Sequence, residues 1–205
     1  MFTGIVQAVG RIAEAGRGPS AVRLLVDPQG LDVGDVAIGD SIAINGCCLT
    51  VVALEAREGR TMLAFDVSAE TLRCTAGLDA SGPVNLEKAL RLADRLGGHL
   101  MTGHVDGLGT VVALEPVAEG GGWGSHRLVV DAPPGLARFI AAKGSVAVQG
   151  VSLTVNAVAG TRFEVNLIPH TLDATTLRAL RAGDRVNLEI DLVARYVARL
   201  AEFDG

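Results

Sequence analysis

The stretch Leu100-Met101-Thr102-Gly103-His104-Val105 repeats the first six residues of the chain, Met1-Phe2-Thr3-Gly4-Ile5-Val6, roughly one hundred residues later. A match this short gains weight only from its flanks. Thr102, Gly103, Val105 and Gly109 repeat Thr3, Gly4, Val6 and Gly10, and Arg127-Leu128 with Val130-Asp131 repeats Arg23-Leu24 with Val26-Asp27. Ser145 to Val155 keeps the Ser, Ala, Gly and Leu-Thr-Val positions of Ser41 to Val51. Thr171-Leu172 repeats Thr71-Leu72, and Val186-Asn187-Leu188-Glu189 repeats Val84-Asn85-Leu86-Glu87. The order is kept throughout. Spacing drifts where surface loops are expected, as at Glu119-Gly120-Gly121-Gly122, which marks a tandem duplication. Two copies make a pair of like domains rather than a solenoid. Positions where the copies differ, Ile5 against His104 foremost, are those where the halves would do different work.

A length of 205 residues then divides into two units of roughly 95 residues, each large enough for a modest core. Hydrophobic residues make up 49% and charged ones 20%, which describes a globular chain and excludes a disordered one. With aromatics at 3%, Val, Ala, Leu and Ile must fill the interior. The net charge of −5 and singly scattered Lys and Arg offer no electrostatic case for a nucleic acid or an anionic membrane as partner. No apolar run has the length of a membrane-spanning helix, and Met1 to Ala15 lacks signal-peptide character, so the expectation is a soluble, cytoplasmic protein. Three cysteines, with Cys47 and Cys48 adjacent, neither complete a disulfide set nor fit a zinc spacing, so reduced thiols are expected.

Locally, Met1 to Ile12 is β-prone, Ala15 to Pro19 reads as a turn, and Val22 to Asp27 as a strand stopped by Pro28. Gly39 to Val52 reads as two strand segments joined at a kink or bulge at Gly46, followed by a charged turn, Glu55 to Arg60, and a strand, Thr61 to Val67. Val84 to Glu87 would close the sheet. Ala89, Leu90, Ala93 and Leu96 fall at helical spacing, predicting a short amphipathic helix that ends at Gly97-Gly98. Short strands with glycine-bearing turns point to an all-β unit, a small barrel, made twice. In the tail, Leu192, Val193, Tyr196, Val197, Leu200 and Phe203 mark one face of a C-terminal amphipathic α-helix. Two readings stand for that face: it lies on its own barrel, or it packs against sister chains.

The ordered set of Met1 to Val6, Asn45-Gly46-Cys47-Cys48-Leu49-Thr50-Val51, Gly97-Gly98-His99-Leu100, Gly103-His104-Val105, Gly150-Val151-Ser152-Leu153-Thr154-Val155 and Ile168-Pro169-His170-Thr171-Leu172 resembles the riboflavin synthase family over essentially the whole chain. The resemblance implies two six-stranded Greek-key barrels, here 1–98 and 99–190, followed by a trimerisation helix, 191–205. It implies a cofactor-independent and metal-free dismutation of two 6,7-dimethyl-8-ribityllumazine molecules. One donates a four-carbon unit to the other, giving riboflavin and 5-amino-6-ribitylamino-uracil. A homotrimer is implied, with active sites between barrels of neighbouring subunits, and lumazine synthase as an associated protein. A non-catalytic lumazine- or flavin-binding antenna protein of the same fold is the rival reading.

Carried over residue by residue, the family's binding positions give a first pocket of Gly4, Ile5, Val6, Cys48, Leu49, Thr50 and Asp66-Val67-Ser68-Ala69-Glu70-Thr71. The second pocket takes Gly103, His104, Val105, Lys143, Ser152, Leu153, Thr154 and Leu167-Ile168-Pro169-His170-Thr171-Leu172. The pockets differ at Ile5 and His104, Cys48 and Ser152, Glu70 and His170, and Ala89 and Asp191. The reaction needs a base for the C7 methyl proton of one lumazine and a nucleophile for its partner. His99 and His104 suit the first task because imidazole exchanges protons near neutral pH. Cys48 or Ser41 suits the second or a proton relay, and Asp191 would orient a His or offset a developing cation. Cys48 also reads as a small buried hydrophobe, and His170 and His126 as structural residues. Many family members carry Asp where this chain has Gln149, which removes any role for a charge there.

Overall fold

The structure, a computed structural model, describes residues 1–18, 21–117 and 124–202, so Pro19 of the expected turn, the Glu119–Gly122 loop and Phe203 lie outside the described residues. The first half contains β1 (Ala8–Arg17), β2 (Ala21–Asp27), β3 (Ser41–Ile44), β4 (Cys47–Arg57), β5 (Arg60–Ser68), a short helix α1 (Ala69–Cys74) and β6 (Gly82–Lys88). These strands close in the order β1-β2-β5-β4-β3-β6, all neighbours antiparallel. Two crossing connections, β2 to β3 and β5 to β6, make it a Greek-key barrel. The second half repeats the plan with β7 (Gly107–Pro116), β8 (His126–Asp131), α2 (Pro134–Ala137), β9 (Ser145–Val148), β10 (Val151–Ala159), β11 (Arg162–Leu167), α3 (Pro169–Ala174) and β12 (Arg185–Ile190). Its order, β7-β8-β11-β10-β9-β12, is the same ring. As the strands alternate, Leu24, Val26, Ile42, Ile44, Leu63, Phe65, Val84 and Leu86 fill the first barrel. Leu128, Val130, Val146, Val148, Phe163, Val165, Val186 and Leu188 fill the second. Each interior thus holds one central Phe amid aliphatics.

Three local expectations need correction. Gly46 is not a kink within a strand: Asn45 (φ 48°) and Gly46 (φ 82°) form a two-residue reversal between β3 and β4, the left-handed pair that tight hairpins require. Gln149 and Gly150 do the same between β9 and β10. Ala15 and Gly16 lie inside β1, paired with Leu24 and Arg23, while residues 1–7 are not a strand. The predicted helix around Ala89 to Leu96 is an irregular linker with a single turn, in which Asp94 accepts from the Arg91 N–H at 2.9 Å. Only Ala89 of its apolar residues packs on a core, while Leu92 is fully and Leu96 half exposed. The Ala89 and Leu90 N–H groups are already engaged by Ser41 and Met1 carbonyls.

The barrels meet through reciprocal contacts, as across a two-fold axis. Phe2 and Met101 exchange backbone hydrogen bonds of 2.9 and 3.0 Å and pack with Ala43 and Ala147. The two hairpin glycines sit back to back, so that a Cβ on Gly46 would come within 2.7 Å of the Gly150 nitrogen. Around them four amides interlock. Asn45 and Gln149 accept the backbone N–H of Asn85 and Asn187 within their own barrels. The side chains of Asn85 and Asn187 then donate to the carbonyls of Gln149 and Asn45 across the boundary, at 2.9 and 3.0 Å. Gln149 is therefore a neutral acceptor within the inter-barrel seam.

The tail helix α4 (Leu192–Ala201) follows directly, capped by the Asp191 carboxylate on the Val193 N–H at 2.9 Å. None of its residues is buried, and Val193, Tyr196, Val197 and Leu200 are 60–68% exposed. The helix touches its own barrel through polar residues, Arg195 pairing with Asp106 and Glu202 with Arg138, and leaves that apolar face open. No helix among the described residues is long and apolar enough to cross a membrane.

Candidate functional site

Each barrel ends in the apolar strand Val-Asn-Leu-Glu, and the glutamate closing it is buried. Glu87 accepts from the Thr3 N–H and hydroxyl, both at 2.7 Å, and from the Gly4 N–H at 3.0 Å. Glu189 accepts from the Thr102 N–H and hydroxyl at 2.7 and 2.8 Å and from the Gly103 N–H at 3.0 Å. Burial pushes both carboxyls above the usual range, against the pull of these donors. Held at that point, each segment turns through a left-handed glycine, Gly4 at φ 75° and Gly103 at φ 77°, and crosses to the other barrel. The Gly4 carbonyl accepts from the Ser152 N–H on β10, and the Gly103 carbonyl from the Cys48 N–H on β4, both at 2.8 Å. Val6 packs on the second barrel's core and Val105 on the first's.

The two pockets drawn from the sequence therefore exchange their leading segments. Gly4, Ile5 and Val6 belong with Ser152, Leu153 and Thr154, while Gly103, His104 and Val105 belong with Cys48, Leu49 and Thr50. Duplication made the copies alike in sequence, and sequence alone assigns each segment to the barrel it precedes. Close packing decides otherwise: a Cβ on Gly4 would lie 2.6 Å from that of Ser152, and one on Gly103 2.6 Å from that of Cys48.

The remaining candidates gather at the same two places. In the first, Ser41 pairs with Thr50 across β3 and β4, and Thr50 is exposed. Asp66 forms a two-pronged ion pair with Arg23 at 2.6 and 2.7 Å that holds its carboxyl below the ordinary range. Ser68 caps α1 by accepting from the Thr71 N–H, and Glu70 pairs with Arg73. Ala69 is exposed at the helix start. In the second, Thr154 pairs with Ser145 and is exposed, and Lys143 is an exposed left-handed residue (φ 67°) at the strand edge. Ile168 and His170 are exposed, and Pro169 and Thr171 half-buried, at the start of α3. Leu49, Val67, Leu153, Leu167 and Leu172 point into the cores, so their side chains are turned away from any ligand.

Chemistry distinguishes the two places. His99, 8% exposed, donates its N–H to the Thr3 carbonyl at 3.1 Å and sets Nδ1 2.6 Å from the Ser152 hydroxyl. Its Nε2 is buried with no partner among the described residues. Burial, partly offset by the Asp191 carboxylate, lowers its proton affinity and so favours the uncharged ring. Cys48, the counterpart of Ser152, has no hydrogen-bonded imidazole among the described residues and packs instead with Phe2 and Ala43. The three cysteines are free, and burial pushes the Cys47 thiol up to about 12, leaving it inert. His104 is exposed beside Gly103, on the Cys48 side. Asp191 serves as the α4 cap as well as facing His99. Sequence reasoning gave no role to Glu87, Glu189, Asn85 or Asn187 and read Gln149 only as a lost charge. Their signal was a polar residue repeated at the same place in an otherwise apolar strand.

Comparison with known proteins matches this architecture. Residues 3–89 and 102–191 each match the lumazine binding domain, so the fold and its paired sites define a duplicated lumazine-binding-domain protein. Full-length relatives narrow the class. The riboflavin synthase of Brucella abortus is 44% identical over 99% of this chain and 99% of its own, that of Mycobacterium bovis 43% over all of both, and that of Photobacterium phosphoreum 41% over 100% and 90%. The chain belongs to the riboflavin synthase family. Among solved structures, LumP complexed with riboflavin superposes with a TM-score of 0.79 at 27% identity, and LumP complexed with 6,7-dimethyl-8-(1'-D-ribityl) lumazine with 0.77 at 25%. Each covers 93% of this chain and 99% of the other.

Proposed function

We propose that the protein is a transferase that converts two molecules of 6,7-dimethyl-8-ribityllumazine into riboflavin and 5-amino-6-ribitylamino-uracil by four-carbon transfer, without a cofactor. The pair of crossed, reciprocal sites carries this reading. A reaction between two copies of one substrate needs two like seats, and such positioning is worth roughly 7–11 kcal/mol for well-aligned reactants. Unequal roles for donor and acceptor need the seats to differ, as the Ser152–His99 and Cys48 sides do. In this reading the buried His99 acts through Ser152: the Ser152 hydroxyl gives its proton to His99 Nδ1 as its oxygen takes the C7 methyl proton of the lumazine beside it. The backbone of 4–6 and 152–154, and of 103–105 and 48–50, with Thr50, Thr154, Lys143 and the residues opening α1 and α3, holds the ligands. Ser41 and Cys48 face the partner lumazine with His104.

The division into 1–98, 99–190 and 191–205, a homotrimer assembled through the exposed face of α4, association with lumazine synthase and a cytoplasmic location complete the proposal. The bare apolar face of α4 supports the trimer. The deciding experiment is incubation of purified protein with the lumazine alone. Riboflavin fluorescence is expected to grow with time. Tight binding with no product over hours would leave a LumP-like binding protein instead.

A further inference from the structure

Glu87 and Glu189 are each 4% exposed, and the hydrogen bonds each accepts come from Thr and Gly. A buried carboxylate without a counter-ion is costly unless several donors converge on it. Three do so here at each glutamate, two from a Thr and one from the following Gly. What each glutamate holds lies on the other barrel's site. The Gly4 N–H is fastened to Glu87 of the first barrel and its carbonyl to Ser152 of the second; the Gly103 N–H is fastened to Glu189 and its carbonyl to Cys48. One left-handed glycine therefore spans the boundary on each side, and displacement at the carboxylate passes through a single residue.

We infer that Glu87 and Glu189 are positioning residues that act across the barrel boundary: Glu87 sets the shape of the Ser152 site, and Glu189 that of the Cys48 site. The inference rests on the reading of these sites as seats for lumazine-type ligands. Glutamine is the informative replacement because it keeps shape and loses an acceptor. Its oxygen still receives both Thr donors, but its NH2 faces the Gly N–H, donor against donor. The glycine peptide then turns away, and with it the carbonyl that receives Ser152 or Cys48.

The test is riboflavin titration of the full-length chain, followed through backbone amide NMR signals. In the parent protein riboflavin is expected to shift the amides of 4–6 with 152–154, and those of 103–105 with 48–50. Shifts at neither group would refute the ligand-site reading itself, before any variant is made. In Glu87→Gln the half-saturation for the Ser152 group is expected to rise about tenfold, the scale of one lost hydrogen bond to a charged group, with the Cys48 group within about twofold. Glu189→Gln is expected to do the reverse. A role in stability alone would lower the melting temperature and leave the ratio of the two half-saturations unchanged. That result, or loss at each glutamate's own barrel, overturns the inference. If either variant fails to fold, Thr3→Val and Thr102→Val remove only the hydroxyl donors and are expected to show the same crossed pattern, more weakly. An uncrossed or equal pattern in them overturns it as well.

Discussion

The Ser152 site and the Cys48 site share a frame and part company at what the chain does after each barrel. Both are built by a glycine that turns on a buried glutamate and docks on the first strand after a hairpin. After the first barrel the linker 89–99 runs back over Thr3 and delivers His99 to Ser152. After the second, the chain leaves at once as α4, capped by Asp191. A duplicated chain has one linker, so only one site receives a buried imidazole. Asymmetry between like sites thus comes from connectivity as well as from the substitution of Ser for Cys.

The comparison breaks first at the imidazole. His99→Gln, at the Ser152 site, is expected to slow riboflavin formation by about 100-fold, the lower range for loss of a positioned base, and Ser152→Ala by about as much, since the imidazole acts through its hydroxyl. Cys48→Ala is expected to cost less than either. Steady-state kinetics on the three variants decides it, and a Cys48→Ala loss equal to that of His99→Gln would reverse the roles drawn for the two sites.

The shared frame is tested by a methyl group. Gly4→Ala and Gly103→Ala each place a Cβ at about 2.6 Å from a neighbour in a left-handed backbone, with an expected loss of about 2–4 kcal/mol each. Chemical denaturation measures it. Near-equal losses sharpen the picture of one frame used twice, whereas a neutral effect at either glycine would mean that segment is not held as described.

A pH series separates the sites more gently. The folded proton affinity of His99 is depressed by burial, so its contribution to stability is fully present above the ordinary histidine range and is lost as pH falls through the lower folded value. Melting temperature should therefore fall more steeply on acidification in the parent than in His99→Gln. Identical slopes would mean the ring is not buried neutral.

The smallest expected effect is at Asp191. Asn caps helices as well as Asp does, so Asp191→Asn should change stability by less than about 0.5 kcal/mol. It should lower the proton affinity of His99 further, because the carboxylate that raises it is gone. A histidine NMR titration reads this directly, and an unmoved His99 would confine Asp191 to the helix cap. Removing the chain after Asp191 is expected to leave both barrels folded and to abolish the proposed trimer, and a full-length chain or a cut chain whose mass by light scattering contradicts this would remove that proposal.

Much of this was legible before any coordinates. The echo of Met1 to Val6 in Leu100 to Val105, with the repeated Leu-Thr-Val and Val-Asn-Leu-Glu strands, carried the duplication, and strand-length apolar runs between glycine turns carried the barrels. Those signals are local: periodicity, turn chemistry and repetition are written in neighbouring residues. The linker misleads because Ala89, Leu90, Ala93 and Leu96 keep helical spacing while the Ala89 and Leu90 N–H groups are claimed from elsewhere and Leu96 finds no core. The pairing of Gly4 with Ser152 and of Gly103 with Cys48, the lodging of His99 on Ser152, and the meaning of Glu87 and Glu189 depend on which surfaces of two folded barrels meet. Sequence determined that there are two like halves. Tertiary structure alone decided how the halves exchange segments, because close packing across a boundary leaves no periodic trace in the chain that forms it.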